Sequence, residues 1–243
     1  MIASWLEVAA PGAKRITIDY ADEKADGGAI GNLTGEGELL VYNTWGTGGG
    51  YEPKKFVPTL WRVVGTTKKQ VVSGADAFAV VDVDAGRIAV LRDDGRLVIL
   101  DRLGNRLSAF PLGKKGMQPE QSIDRWPVRL AGRLIVALRG TTIEVRDATS
   151  GALRHRWAAV RSEAPITLED ARGNFAVYEA GIALHVLRLS DGQDRMLDLA
   201  TAEGPVHAEL ERDGLYYSYN TPAGAKRGRV AFVPLHEVTA SFG

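Results

Sequence analysis

Short segments in which apolar and polar residues alternate follow one another along most of the chain, with turn residues between them. Residues 78–84, 87–92, 96–101 and 106–110 are four such segments, and an Asp-Gly dipeptide lies between the second and the third. Because successive side chains of a β-strand point to opposite faces, this alternation predicts half-buried strands, and the dipeptide predicts a tight hairpin. The region therefore predicts one sheet of four short antiparallel strands.

A glycine followed by apolar residues recurs at the start of the second strand of each such unit. The intervals are 49, 46, 41 and 41 residues, and the glycines are Gly37, Gly86, Gly132, Gly173 and Gly214. A repeat of about 40 to 50 residues built from four strands is typical of the blades of a β-propeller. We therefore predict an all-β fold, a β-propeller of four-stranded antiparallel blades, with about five blades visible.

The repeats extend over the whole chain, so we predict a single β-propeller domain over residues 1–243. The predicted blades are 1–22 (partial), 28–74, 78–112, 126–160, 166–202 and 206–238 (partial). Strands predicted at 5–9 and 15–20 have no first and second strand before them. Either strand 15–20 completes the last blade and closes a five-bladed ring, or the chain is the later part of a six- to eight-bladed ring. We favour the second, an N-terminally incomplete propeller, because closure leaves strand 5–9 surplus.

One segment carries a resemblance to a known class of repeats. Residues 145–157 read Val-Arg-Asp-Ala-Thr-Ser-Gly-Ala-Leu-Arg-His-Arg-Trp, and segments 100–104 and 187–192 are weaker copies without the tryptophan. This resembles the third strand, turn and fourth strand of quinoprotein-like (PQQ-type, WD40-like) β-propeller repeats, although the Trp-Asp dipeptide of WD40 repeats is missing. The chain also resembles actinobacterial propeller-like proteins, which are usually exported. The resemblance covers residues 28–238 and implies a bacterial, extracytoplasmic protein, but it maps no cofactor-binding residue.

Composition and charge narrow the classes of function. Lys+Arg and Asp+Glu both number 30, so no net charge draws the whole molecule to nucleic acid. Cysteine is absent, which excludes disulfides and thiolate metal sites. No apolar run approaches the roughly 20 residues of a membrane-spanning helix. The first residues show no signal-peptide pattern.

Motifs of catalysis are missing from the sequence. There is no Gly-x-Ser-x-Gly elbow and no phosphate-binding loop, and the four histidines lack metal-ligand spacing. We therefore predict no catalytic residue, no metal and no cofactor. Three polar residues of first strands, Asp82, Asp84 and His207, are candidates to line a central channel, since first strands surround the axis of a propeller.

The longest connections give the clearest hypothesis about binding. The connections 46–58 and 221–228 join second to third strands, and 113–127 follows a fourth strand, so all three are expected on one face. Loops on a rigid scaffold commonly carry binding sites, and cations with aromatic rings suit an anionic ligand, a glycan or a partner protein. The candidate residues are Trp45, Tyr51, Lys54, Lys55, Lys114, Lys115, Trp126, Lys226 and Arg227.

Three classes of function stay open at this point. The favoured one is a non-catalytic module that binds or scaffolds a ligand or protein on the long-loop face. The alternative is an enzyme, either a quinoprotein-like oxidoreductase or a propeller lyase or hydrolase, with its site in the channel. A third is a purely structural segment. Convergent polar groups around Asp82 and His207 would favour the enzyme, and apolar first strands would favour the binding module.

Overall fold

The described residues of the computed structural model form β-strands and one short helix, and the chain divides into two compact units, residues 1–124 and 125–243. It describes residues 3–8, 16–22, 28–37, 39–46, 59–64, 66–73, 79–92, 94–112, 128–162, 165–197, 205–220, 228–240 and 242. The one helix in these ranges has six residues, and none of the described helical structure is long and apolar enough to cross a membrane.

The described strands of the first unit form one two-stranded and two four-stranded antiparallel sheets. Its strands are β1 (Ala3–Val8), β2 (Ile16–Asp22), β3 (Gly28–Glu36), β4 (Leu39–Gly46), β5 (Thr59–Val64), β6 (Thr67–Ser73), β7 (Ala79–Asp84), β8 (Arg87–Leu91), β9 (Arg96–Asp101) and β10 (Arg106–Pro111). β1 pairs with β2, and β3 to β6 and β7 to β10 each form a sheet in chain order.

In the second unit the described strands form two four-stranded sheets and one three-stranded sheet. Its elements are β11 (Val128–Ala131), β12 (Leu134–Arg139), β13 (Thr142–Asp147), β14 (Leu153–Ala158), β15 (Ile166–Arg172), β16 (Phe175–Ala180), β17 (Ala183–Arg188), β18 (Asp194–Met196), β19 (Pro205–Leu210), β20 (Gly214–Asn220), β21 (Gly228–Pro234) and α1 (Leu235–Ala240). The sheets are β11 to β14, β15 to β18 and β19 to β21, again in chain order.

Within each unit, successive sheets stack through their apolar faces with their first strands side by side. β3 contacts β7 in the first unit, and β15 contacts both β11 and β19 in the second. The apolar residues that alternate along the strands form the cores between these sheets, with Val41 and Ile88 in one and Val136 and Tyr178 in another. Sheets stacked in this way are the blades of a β-propeller. The predicted fold class is therefore confirmed.

The repeating glycine lies in the turn between the first and second strands in four of its five occurrences. Gly37, Gly86, Gly132 and Gly173 all have left-handed φ angles, between 59° and 69°. Gly214 differs, because it is the first residue of β20 and pairs with Pro234 of β21. A Cβ atom there would overlap the Val233 carbonyl oxygen and the Phe232 ring, so close packing requires this glycine.

The strand predictions agree closely with the structure. The predicted strands 5–9 and 15–20 correspond to β1 and β2 with ends shifted by one or two residues, and the one unpredicted element lies at the C-terminal side. In the predicted blade 78–112, the predicted segments 96–101 and 106–110 correspond to β9 and β10. The last predicted blade, 206–238, contains the three strands β19 to β21, but the helix α1 follows β21 directly and was not predicted. Apolar Val238 of α1 and the nearby Phe242 are buried against Phe175 and Leu215, which explains why this segment folds onto the sheet. The single-domain assignment and the number of blades in the ring stay predictions.

Candidate binding surfaces

Most of the predicted long-loop residues lie outside the described residues. Trp45 is in β4, where its backbone pairs with Ala29 of β3. The others, Tyr51, Lys54, Lys55, Lys114, Lys115, Trp126, Lys226 and Arg227, are in segments that the structure leaves undescribed. Strand order still fixes where those segments begin. Each follows a second or fourth strand of a sheet whose strands run in chain order, so each leaves its sheet at the end opposite the first-to-second turn.

Asp82 and Asp84 occupy the first strand of their sheet, as predicted. The carboxylate of Asp82 accepts a hydrogen bond from the Val83 amide at 2.8 Å, next to a bulge in β7. Asp84 is buried at the end of the strand. Its backbone lies opposite that of Arg87, the first residue of β8, across the turn. Their proposed role in a channel stays a prediction.

His207 lies on β19 beside a buried carboxylate of β15. Oε2 of Glu169 is 3.2 Å from Nδ1 of His207 and accepts the Ala208 amide at 3.3 Å. The Glu169 side chain is 1% exposed, whereas that of His207 is 55% exposed. The hydrogen bond with Glu169 raises the pKa of His207 above its usual value, although burial opposes this. Glu169 of the first strand β15 therefore stabilises the charged form of His207.

The neighbouring polar groups of the inner strands also bind backbone atoms of adjacent strands. Arg129 of β11 donates from Nε to the Glu169 carbonyl oxygen at 2.8 Å. Asp170 accepts the Leu210 amide of β19 at 2.6 Å, and a bulge between Leu168 and Asp170 lets Glu169 and Asp170 both reach β19. These side chains therefore connect the first strands of three successive sheets.

An arginine cluster on the sheet β11 to β14 was not predicted from the sequence. Its centre is Glu144 of β13, whose side chain is 6% exposed. Oε2 of Glu144 lies 2.7 Å from Arg146 and 3.2 Å from Arg139, and Oε1 lies 2.9 Å from Arg156. The strand register produces this arrangement, because Glu144 pairs with Arg156 of β14 on one side and with Ala137 of β12 on the other.

A second carboxylate extends the cluster to the turn between β13 and β14. Asp147 forms an ion pair with Arg154 and accepts the backbone amides of Thr149 and Ser150 at 3.0 and 2.9 Å. The ion pair with Arg154 is the largest of the interactions that hold the pKa of Asp147 below its usual range. We call Arg139, Arg146, Arg154 and Arg156, with Glu144 and Asp147, the arginine cluster.

The arginines outnumber the carboxylates, and most are accessible. The side chains of Arg139, Arg154 and Arg156 are 46%, 54% and 60% exposed, and that of Arg146 is 20% exposed. Four guanidinium groups share two carboxylates, which leaves a net charge of +2. Burial raises the pKa of Glu144, but hydrogen bonds from Arg146 and Arg156 outweigh it, so that this pKa lies below the usual value. Glu144 therefore stays ionised among the arginines.

A buried network at the same register of the next sheet has a different chemistry. Tyr178 of β16 donates its hydroxyl to Asp194, and Nδ1 of His185 lies 2.8 Å from the same carboxylate. The Tyr178 and His185 rings stack with centroids 5.0 Å apart, and the Val160 amide donates to the Tyr178 hydroxyl at 3.1 Å. Burial, followed by the bond to Asp194, raises the pKa of Tyr178. Because these groups satisfy one another inside the sheet, the network stabilises the blade.

Among the described residues, no three His, Asp or Glu side chains are grouped so that they could hold a metal ion. The sequence matches no protein-family model and no curated protein.

Solved structures similar to this chain are known at low sequence identity. The structure of the mitotic checkpoint complex matches with a TM-score of 0.59 at 10% identity, over 97% of this chain and 76% of that one. The C-terminal WD40 domain of Sif2 matches with a TM-score of 0.52 at 12% identity, over 96% of this chain and 63% of that one. Sqt1 of Saccharomyces cerevisiae matches with a TM-score of 0.50 at 12% identity, over 97% of this chain and 65% of that one.

These similarities support a WD40-like β-propeller fold. The chain spans less than two thirds of the length of the Sqt1 and Sif2 chains. At such identities the similarity concerns the fold alone, since one propeller scaffold serves many functions.

Proposed function

We propose that this protein is a non-catalytic binding module, in which a β-propeller scaffold presents long basic connections to an acidic protein or another anionic ligand. The observation that carries the proposal is the strand order. The connections that contain Lys54 and Lys55, Lys114 and Lys115, and Lys226 and Arg227 all leave their sheets at the end opposite the first-to-second turns. In the sequence these connections combine basic residues with the aromatic residues Tyr51 and Trp126, a combination that suits an anionic partner.

The inner strands support a binding module over an enzyme. Glu169, Asp170 and Arg129 bind backbone groups of adjacent first strands, and these contacts explain their burial without a reaction. An active site requires polar groups that converge on a space where a substrate can react. The described groups instead bind backbone atoms of neighbouring strands, and Glu169 also binds His207.

We also propose a source and a cellular location for the protein from its resemblance to quinoprotein-like repeats. It would make the protein a bacterial, extracytoplasmic one, a location that fractionation of the source cells would test. It does not favour an oxidoreductase, because residues 145–157 match only the strand and turn pattern of the repeat.

Charge reversal on the long connections tests the proposal. The variant K54E/K55E/K114E/K115E/K226E/R227E would be compared with the wild type by fluorescence anisotropy, with a labelled heparin octasaccharide and a labelled decaglutamate peptide as probes. We expect the wild type to bind at least one probe and the variant to bind it at least ten-fold more weakly.

Two exposed arginines provide a control for charge reversal elsewhere on the surface. Arg102 and Arg133 lie in turns at the opposite end of their sheets, so R102E/R133E should retain most of the binding. Failure of the wild type to bind either probe, or equal losses in both variants, would refute the proposed long-loop site.

A further inference from the structure

The arginine cluster surrounds the outer strand of its sheet. β14 pairs with β13 and, among the described strands, with no other. Arg154, His155 and Arg156 of β14 are all exposed, while Trp157 packs against the next sheet and donates from Nε1 to the Leu189 carbonyl oxygen at 3.3 Å. Outer strands of natural proteins often carry charges that discourage pairing with other strands. That role needs exposed charges only, and it needs no buried carboxylate beneath them.

Glu144 gives the cluster an order that exposed charges alone would lack. Its two carboxylate oxygens bind three guanidinium groups from three different positions of the sheet, at 2.7, 2.9 and 3.2 Å. Arg146 is held further by a hydrogen bond that its Nη1 donates to the Gly151 carbonyl oxygen at 3.0 Å. Side chains fixed before binding lose less conformational entropy when a ligand arrives. The cluster is therefore organised in advance.

The arginines keep donors for a further anion. A guanidinium group has five N–H donors, and the described contacts of Arg139 and Arg156 with Glu144 involve one nitrogen atom of each. Both side chains are about half exposed or more. Arginine binds carboxylates through paired hydrogen bonds, which makes it the common choice for recognition of acidic groups.

We propose that the arginine cluster is a second binding site, at which an acidic segment of a partner protein docks its carboxylates on Arg139 and Arg156, with Arg154 beside them. The partner class follows from charge complementarity, since the cluster has a net charge of +2 in a protein whose overall charge is zero. This site is separate from the long connections and does not depend on the function proposed for them.

Two variants with opposite effects on charge test the proposal against simple electrostatic attraction. E144Q raises the net charge of the cluster from +2 to +3, so general attraction predicts tighter binding of a labelled decaglutamate peptide. A site organised by Glu144 predicts weaker binding, because the arginines lose the group that holds them together. We expect at least three-fold weaker binding by E144Q and at least ten-fold weaker binding by R139Q/R156Q, measured by anisotropy.

Controls separate the site from general charge and from misfolding. R102Q/R106Q removes two exposed arginines from another sheet and should change the affinity less than two-fold. Circular dichroism would verify the fold of each variant, and E144D, which retains the carboxylate, should recover part of the affinity lost in E144Q. A deca-glutamine peptide should not bind.

The outcomes that would overturn the proposal are specific. Tighter binding by E144Q, or equal losses in R139Q/R156Q and R102Q/R106Q, would show that only diffuse charge attracts the peptide. A loss confined to the charge-reversed long connections would refute this site and leave the other one standing.

Discussion

Glu144 is one buried carboxylate that three arginines share, and this makes its charge state important for stability. Removal of a charged hydrogen-bonding group from such a position costs about 1–3 kcal/mol. We expect E144Q to lower the free energy of unfolding by about that amount at neutral pH, as measured by urea denaturation. Of the arginines that remain, Arg139 and Arg156 are largely exposed and can be hydrated, so the loss stays below that of a fully buried ion pair.

Acid should abolish this difference between wild type and variant. The pKa of folded Glu144 lies below its usual value of 4.5. A lowered pKa contributes stability that is complete above the unfolded value and is lost as the pH falls through the folded value. The two unfolding free energies should therefore converge in acid. The exposed Glu237 is the matched position, and E237Q should show neither the loss nor the convergence. A difference that persists unchanged in acid would contradict this account.

The contacts of polar residues on the first strands illustrate which features of single residues the sequence can predict. Alternation places Asp82 and His207 on first strands, and the structure agrees. The partner of His207 could not be predicted, because Glu169 is 38 residues away and reaches β19 only through the bulge in β15. A bulge changes the register locally, and no residue pattern announces it.

At the scale of elements, the blades share a geometry but not a chemistry. The fourth residue of each second strand pairs with a third-strand residue, and the pairs are Tyr42 with Trp61, Val90 with Val98, Ala137 with Glu144, Tyr178 with His185, and Tyr217 with Ala231. The glycine spacing and the alternation were sufficient to predict the strands. They could not predict which blade holds the arginine cluster, because cross-strand neighbours depend on register and on turn length.

The turns between third and fourth strands also connect neighbouring blades. Gly192 has a φ of 75°, and a Cβ atom there would overlap the ring of Trp157 on β14. Gly173 has a φ of 59°, and a Cβ atom added to Gly173 would meet only open space. Left-handed backbone costs any other residue about 1–2 kcal/mol, and steric overlap adds about 1–3 kcal/mol. G192A should therefore destabilise the protein more than G173A in urea denaturation.

The comparison of these two variants isolates the contact between blades. Both substitutions impose a similar backbone strain, so the difference between them reports the packing of Trp157 on the turn. A change in tryptophan fluorescence should accompany G192A and not G173A. Equal destabilisation by the two variants would mean that Trp157 does not rest on Gly192.

For the whole molecule, the sequence predicted the fold class because the same signals repeat in every blade. It did not predict α1, because a six-residue helix has too short a pattern to recognise and forms through burial of Val238. Nor did it predict that the outer strand of the last sheet would expose apolar side chains. Val230 and Phe232 of β21 are 73% and 43% exposed. Exposure of this kind depends on the packing of neighbouring elements, which local patterns do not encode.

The exposed side chains of β21 and the balance of charge together determine how the protein should behave in solution. β21 pairs with β20 and, among the described strands, with no other, and an outer strand with apolar side chains can associate with another chain. Net charge keeps such molecules apart, but the pI is about 6.9, so repulsion is weakest near neutral pH. We expect self-association to be greatest near pH 7 and to fall towards pH 5 and pH 9, as measured by light scattering over a concentration series.

V230K should reduce association at every pH, whereas L103K, which makes the same charge change at an exposed turn, should only shift the pH of the maximum. If V230K and L103K behave alike, charge alone governs the association and β21 is not its contact.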